Sequence, residues 1–219
     1  MEQVFTRISI LPKRSDRRNS TGFKAAGNIG FKVNRPVKTI QIDASSADKG
    51  GYKHFMAKEI AEQPTVLQGA LAHYINADGT DVVLPEGGLD FAQIERMTMV
   101  ACGTAYYAAC SGADMIETLA RLPTNAEPAA EFRYRNPVIE KHTLYIVVSQ
   151  SGETFDTLAA VNEIKRKGGR VLGVVNSVGS TIARAVDGGI YMHAGPEVSV
   201  ASTKAYSCML VCFSLLALH

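Results

Sequence analysis

Tryptophan is absent from the 219 residues, and cysteine and proline are sparse, at four and eight. Excess charge of either sign is also missing. The 23 lysines and arginines face 21 aspartates and glutamates, leaving a net charge of +2. So small an excess argues against a dedicated nucleic-acid binder. No CxxC pair occurs. Cys102, Cys110, Cys208 and Cys212 sit inside apolar runs, where a free thiol behaves as a small core hydrophobe, and this usage points to a reducing compartment. Cys208 and Cys212 are spaced for one helix face, but their apolar neighbours offer no further ligands, so no metal is expected. The longest apolar stretch runs from Cys208 to Leu218, broken by Ser214. A membrane-spanning helix needs about 20 such residues, and this run falls short. The first residues lack an apolar stretch and soon meet Lys13, Arg14, Arg17 and Arg18, so no secretory signal is expected. The expectation is a soluble, cytoplasmic chain with no membrane and no nucleic-acid partner.

What is present is enough for a core. Hydrophobic residues make up 46%, which rules out a wholly disordered chain. The charge is divided: residues 1–60 hold twelve basic and five acidic residues, and 61–219 hold eleven and sixteen. The basic stretch reads as a solvated surface or loose tail. Residues 1–50 contain strand pieces at Phe31–Val33 and Thr39–Ile42, punctuated by Pro36. They are too few and too polar for an independent domain. Helical spacing follows over His54–Gln63 and Thr65–His73, with Pro64 separating two helices, and Asn76–Gly88 reads as a loop.

From Met97 the pattern turns α/β. Apolar runs at Met97–Ala101, Leu144–Val148, Val171–Val175 and Gly189–His193 alternate with helical patterns at Thr104–Leu119, Thr154–Lys167 and Gly179–Val186, and residues 124–128 add an edge strand. Continuous apolar strands between helices imply a parallel, doubly wound sheet, with ligands outside the carboxyl ends of its strands. Ala201–Leu218 forms a last helix that is apolar nearly all round and therefore buried. It stops at His219 without a C-cap glycine, which suggests a chain cut short or a helix covered by a partner.

Three turns between strand and helix share one chemistry: Cys102-Gly103-Thr104, Ser149-Gln150-Ser151-Gly152-Glu153-Thr154 and Val200-Ala201-Ser202-Thr203-Lys204. Each places hydroxyls where backbone N–H groups are unpaired and the helix dipole favours an anion. Capping is the competing account, since serine and threonine are common N-caps. In the second turn four polar side chains in six residues exceed what one cap needs. Neither a Walker pattern nor GxGxxG is present, so a small phosphorylated metabolite fits better than a nucleotide.

Ser149 to Thr154 resembles the phosphosugar-binding motif of SIS (sugar isomerase) domains. The order of Lys58-Glu59-Ile60, Glu62-Gln63-Pro64, Cys102-Gly103-Thr104, Glu131 to Arg135 and Val200 to Ala205 resembles the glucosamine-6-phosphate synthase family, whose members are glutamine–fructose-6-phosphate aminotransferases (isomerising). The resemblance covers roughly residues 48–219. It implies three segments: 1–47 as the end of a glutaminase domain, 48–90 as a helical linker, and 91–219 as the first SIS domain, with a flavodoxin-like sheet. In that family the glutaminase domain releases ammonia, and two SIS domains use it to convert fructose 6-phosphate to glucosamine 6-phosphate. The motifs imply that Ser149, Gln150, Ser151 and Thr154 bind the phosphate, and that Thr104, Val200 and Ser202 contact the sugar. Glu153 is within reach as a base or as a structural carboxylate.

Two departures stand out. Ala105 replaces a frequent serine, and Glu2 stands where the glutaminase nucleophile would be a cysteine. The resemblance places the isomerase base, the ring-opening histidine and the Schiff-base lysine in the second SIS domain. Lys204 is not that lysine, and the histidines read as surface or capping residues. The expected partners are a hexose phosphate, the glutaminase and second SIS domains, and a second copy in a homodimer, with no cofactor. Two other readings stay open: a non-catalytic phosphosugar sensor, and a single-domain isomerase completed by dimerisation.

Overall fold

Buried strands in a parallel sheet need apolar side chains on both faces, and the apolar runs meet that requirement. The computed structural model describes residues 23–24, 32–33, 48–85 and 91–219. The chain divides into two units, Met1–Asp48 and Lys49–His219. In the first unit, β1 (Phe23–Lys24) pairs antiparallel with β2 (Lys32–Val33). The strand expected at Thr39–Ile42 lies outside the described residues.

The second unit begins with α1 (Phe55–Ala72). Then follow β3 (Arg96–Ala101), α2 (Thr104–Leu119), β4 (Thr124–Pro128), α3 (Ala129–Tyr134), β5 (Thr143–Ser149) and α4 (Phe155–Arg166). The unit ends with β6 (Arg170–Val175), α5 (Thr181–Ala185), β7 (Gly188–Tyr191) and α6 (Lys204–Leu218). All five strands of β3–β7 run parallel in the order β4-β3-β5-β6-β7, so the expected doubly wound sheet is present. Every residue of β5 is buried. On one face Met97, Met99, Ile146, Val148, Leu172 and Val174 pack against α1, α2 and α6. On the other, Val100, Tyr145, Val147 and Val171 pack against Phe132 of α3, Val161 and Ile164 of α4, and Ile182 of α5.

Pro64 does not separate two helices. A single helix runs through it. An internal proline leaves the carbonyl four residues earlier without its N–H partner. Here that carbonyl is Ile60's, and the Gln63 side-chain amide donates to it at 3.2 Å. Pro64 itself is exposed, so its ring projects into solvent.

The last helix is covered by its own chain. Ala205, Cys208, Met209, Cys212, Phe213 and Leu215 of α6 are buried within the core shared with α1 and α2. Alanines at 105, 108, 109 and 113 give α2 a stripe of small residues at helical spacing, with Gly112 among them. This stripe allows close approach. A Cβ on Gly112 would sit 2.4 Å from the Phe213 ring. Burial pushes the thiols of Cys208 and Cys212 up, to about 11 and about 12.

This packing makes two predictions. Gly112→Ala should destabilise by about 1–3 kcal/mol through overpacking. The cost should shrink in a Phe213→Leu background, as chemical denaturation of the four variants would reveal; equal costs in both backgrounds would refute the close contact. A thiol reagent should modify the partly exposed Cys102 and Cys110 well before Cys208 and Cys212 in the folded chain, and all four after unfolding. Uniform native rates, read by mass spectrometry, would mean that α6 is not held in the core.

Candidate functional site

β3 and β5 are neighbours, but the chain leaves them in opposite directions. From β3 it enters α2 on one face; from β5 it enters α4 on the other. The loops after the two strands therefore part and leave a crevice at the strands' carboxyl ends. A cleft of about 210 Å³ lies there. Its lining includes Thr104, Ser149, Gln150, Ser151, Thr154, Val200 and Ser202, so all seven residues expected to bind substrate come together. This is smaller than the ~300–1,000 Å³ of drug-sized pockets and suits a small polar metabolite.

The loop from Ser149 to Thr154 is organised by its own hydroxyls. Ser149 Oγ accepts the Gly152 N–H at 3.0 Å and lies 3.0 Å from Thr154 Oγ1. Ser151 Oγ accepts the Glu153 N–H at 3.2 Å. Gly152 has φ +66°, and a Cβ there would lie 2.0 Å from Ser180 Oγ, so only glycine fits this turn. Thr154 occupies the N-cap position of α4, yet its side chain makes no capping bond. Instead its hydroxyl turns toward Ser149, at the mouth of an uncapped helix. Likewise, the N-cap of α2 is Gly103, which has no side chain to cap the helix.

The third turn departs from the expected pattern. The N-terminus of α6 is already filled by the chain's own anion. Glu197 Oε1 accepts the N–H groups of Thr203 (2.8 Å) and Ala205 (3.1 Å) and the Thr203 hydroxyl (3.2 Å). Its other oxygen accepts the Ser202 hydroxyl at 3.1 Å. Ser202 thus lines the cleft with its hydroxyl proton engaged.

Glu153 does not line the cleft. Its Oε1 accepts the Thr181 N–H at 2.8 Å, capping α5 together with Ser180. Those bonds to Thr181 hold its carboxyl below the usual range, with burial opposing weakly and Arg184 assisting. Lys204 also points elsewhere: it is 5% exposed and pairs with Glu62 at 2.8 Å. His73 and His193 stack with ring centroids 3.7 Å apart, outside the cleft. Sequence reasoning missed Glu197 and Ser199 as cleft residues. The available signal was an acidic residue a few positions ahead of a hydroxyl-rich helix start, a capping pattern that usually spans only three residues. Among the described residues, no group of three His, Cys, Asp or Glu side chains is placed to hold a metal.

Comparison with known proteins fits this geometry. A 48% identical relative over 201 residues is a glutamine–fructose-6-phosphate aminotransferase [isomerizing] of Clostridium tetani, matched over 90% of this chain and 33% of its own length. An enzyme of the same name from Thermus thermophilus is 48% identical over 188 residues, 86% of this chain and 31% of its own. The chain thus spans about a third of the length of these curated relatives. Among solved structures, the C-terminal domain of glucosamine-fructose-6-phosphate aminotransferase from Francisella tularensis superposes with a TM-score of 0.73 at 36% identity, over 78% of this chain and 48% of that one. The SIS domain model matches residues 90–219, more than half of the chain, and the chain belongs to the SIS domain family.

Proposed function

We propose that this chain is the sugar-phosphate-binding part of a glutamine–fructose-6-phosphate aminotransferase (isomerising), with fructose 6-phosphate or glucosamine 6-phosphate as its ligand. One observation carries the reading: in a cleft at the sheet's switch point, the α4 N-terminus is left uncapped while the Ser149 and Thr154 hydroxyls pair beside it. Unpaired amides and hydroxyls at a helix start suit a phosphate dianion. Ser149, Gln150, Ser151 and Thr154 hold the phosphate in this reading, and Thr104, Val200 and Ser202 face the sugar.

Isomerisation needs a base within hydrogen-bond reach of the substrate's exchanging protons, and amination needs an activated carbonyl. Glu197 is the carboxylate among the lining residues, and it accepts four hydrogen bonds from Ser202, Thr203 and Ala205. The chain binds and orients the sugar phosphate; a glutaminase domain, a second SIS domain and a homodimer partner complete the enzyme. A cytoplasmic setting agrees with four free cysteines.

Titration calorimetry of this chain with fructose 6-phosphate tests the reading, with fructose as control. Each hydrogen bond to the charged phosphate is worth about 1.5–3 kcal/mol, so Ser149→Ala with Thr154→Ala should abolish detectable binding. Fructose should not bind. A folded chain that binds neither sugar, or binds both alike, would defeat the proposal. Ala105 lies on the cleft wall where a serine is frequent in the resembled family. Ala105→Ser should therefore strengthen fructose 6-phosphate binding by about threefold to tenfold, the value of one added hydrogen bond. Unchanged or weaker binding would show that position 105 does not face the ligand.

A further inference from the structure

The wall of the cleft opposite the phosphate loop is made of irregular backbone. Ser199, Val200 and Ser202 line it, and Val200 is fully exposed. Among the described residues, no backbone–backbone hydrogen bond ties residues 196–202 to the rest of the chain. An unsupported loop of this length would sample many conformations. Something else fixes it.

Two carboxylates do so. Glu197 folds the loop's far end onto α6. The other comes from α1, about 140 residues earlier. Glu59 Oε1 accepts the Val198 N–H at 2.6 Å and the Ser199 N–H at 3.2 Å, and its Oε2 accepts the Ser199 hydroxyl. Glu59 is 2% exposed. Burial works against its charge, but the Ser199 hydroxyl, the two loop amides and Lys204 outweigh it and hold the carboxyl below the usual range.

A buried carboxylate is a poor way to join two helices, because an apolar side chain of similar volume often does as well or better. The three donors that satisfy Glu59 all belong to the cleft loop. Its neighbours on α1 set where it stands. Glu62 pairs with Lys204 at 2.8 Å and with Lys58 at 3.6 Å, and Gln63 accepts the Ser207 hydroxyl at 2.5 Å. This strip registers α1 against α6 and leaves Glu59 facing the loop.

We propose that Glu59 is a positioning residue that holds Val198 and Ser199 so that Val200 and its neighbours face the sugar end of the bound ligand. This rests on the sugar-phosphate reading of the cleft and adds a division of labour. The phosphate is gripped by Ser149 to Thr154, which Glu59 does not touch. The sugar is read by a loop that Glu59 holds from α1.

The test compares fructose 6-phosphate with inorganic phosphate as probes, titrated into this chain. Glu59→Leu should weaken fructose 6-phosphate binding by about tenfold, the scale of hydrogen bonds to a charged group. Inorganic phosphate binding should change less than about twofold, because its loop is untouched. Hydrogen exchange at the Val198 and Ser199 amides should accelerate at the same time. Glu59→Gln keeps the size and one acceptor oxygen and should give an intermediate loss; it also serves if Glu59→Leu fails to fold. Equal weakening of both probes would make Glu59 a general structural residue and overturn the proposal, as would unchanged fructose 6-phosphate binding in both variants. If the unsubstituted chain binds phosphate but gains nothing from the sugar, the sugar-phosphate reading fails first and takes this one with it.

Discussion

The site depends on one topological constraint. β3 and β5 lie side by side and parallel, yet α2 and α4 must cover opposite faces of the sheet. Two chains leaving adjacent strand ends in opposite directions cannot pack against each other, so a crevice opens between them. The same divergence aims both helix starts into that crevice. The polar loops can then stay short, because the geometry comes from the sheet and not from the loops. Close packing of α2 on α6 through Gly112 brings the start of α6 back to the crevice and supplies its third side.

Electrostatics then distinguishes the helix starts. A helix N-terminus attracts any anion within reach, including one from the same chain. α5 takes Glu153 and α6 takes Glu197. The first turn of α2 has no acidic residue, and the one in that of α4, Asp156, pairs with Arg133 at 3.1 Å. Among the described residues, the helix starts at the cleft that accept no carboxylate are those of α4 and α2. Seen this way, Glu153 and Glu197 help by occupying the wrong sites. On the proposed reading, they also explain how an anion site can be built without a cluster of lysines, at a net charge of only +2.

Much of this was legible in the sequence, for a physical reason. Strands buried on both faces must be apolar throughout, and helix starts favour small hydroxyls, so Leu144–Val148 followed by Ser149–Thr154 announced both a strand and a candidate site. The lining of the cleft by Ser149, Thr154, Thr104 and Ser202 needed only the topology in addition. Pro64 misled because its penalty is met by a side chain, Gln63, that spacing rules do not weigh. The third turn misled because Glu197 returns as a cap over six residues, beyond the short range of a capping box. Glu59 could not be read as a cleft-supporting residue at all. Its partners are about 140 positions away, and nothing local in Lys58-Glu59-Ile60 tells a buried acid from a solvated one.

The two walls of the cleft are therefore built on different principles. The Ser149–Thr154 wall is anchored to the buried β5 and to the start of α5: its own hydroxyl bonds span five residues or fewer, and Ser177, Thr181 and Ile182 donate to Gln150, Glu153 and Gly152. The Ser199–Ser202 wall depends on α1 being docked, since Glu59 supplies bonds that the loop cannot make for itself. Opening α1 would loosen this wall and leave the other intact, because the two share no hydrogen-bond partner among the described residues. A ligand with a charged end and a neutral end meets a fixed grip for the charge and a wall of conditional shape for the rest. On the sugar-phosphate reading proposed above, that arrangement ties recognition of the sugar, and not capture of the phosphate, to the packing of a helix outside the sheet.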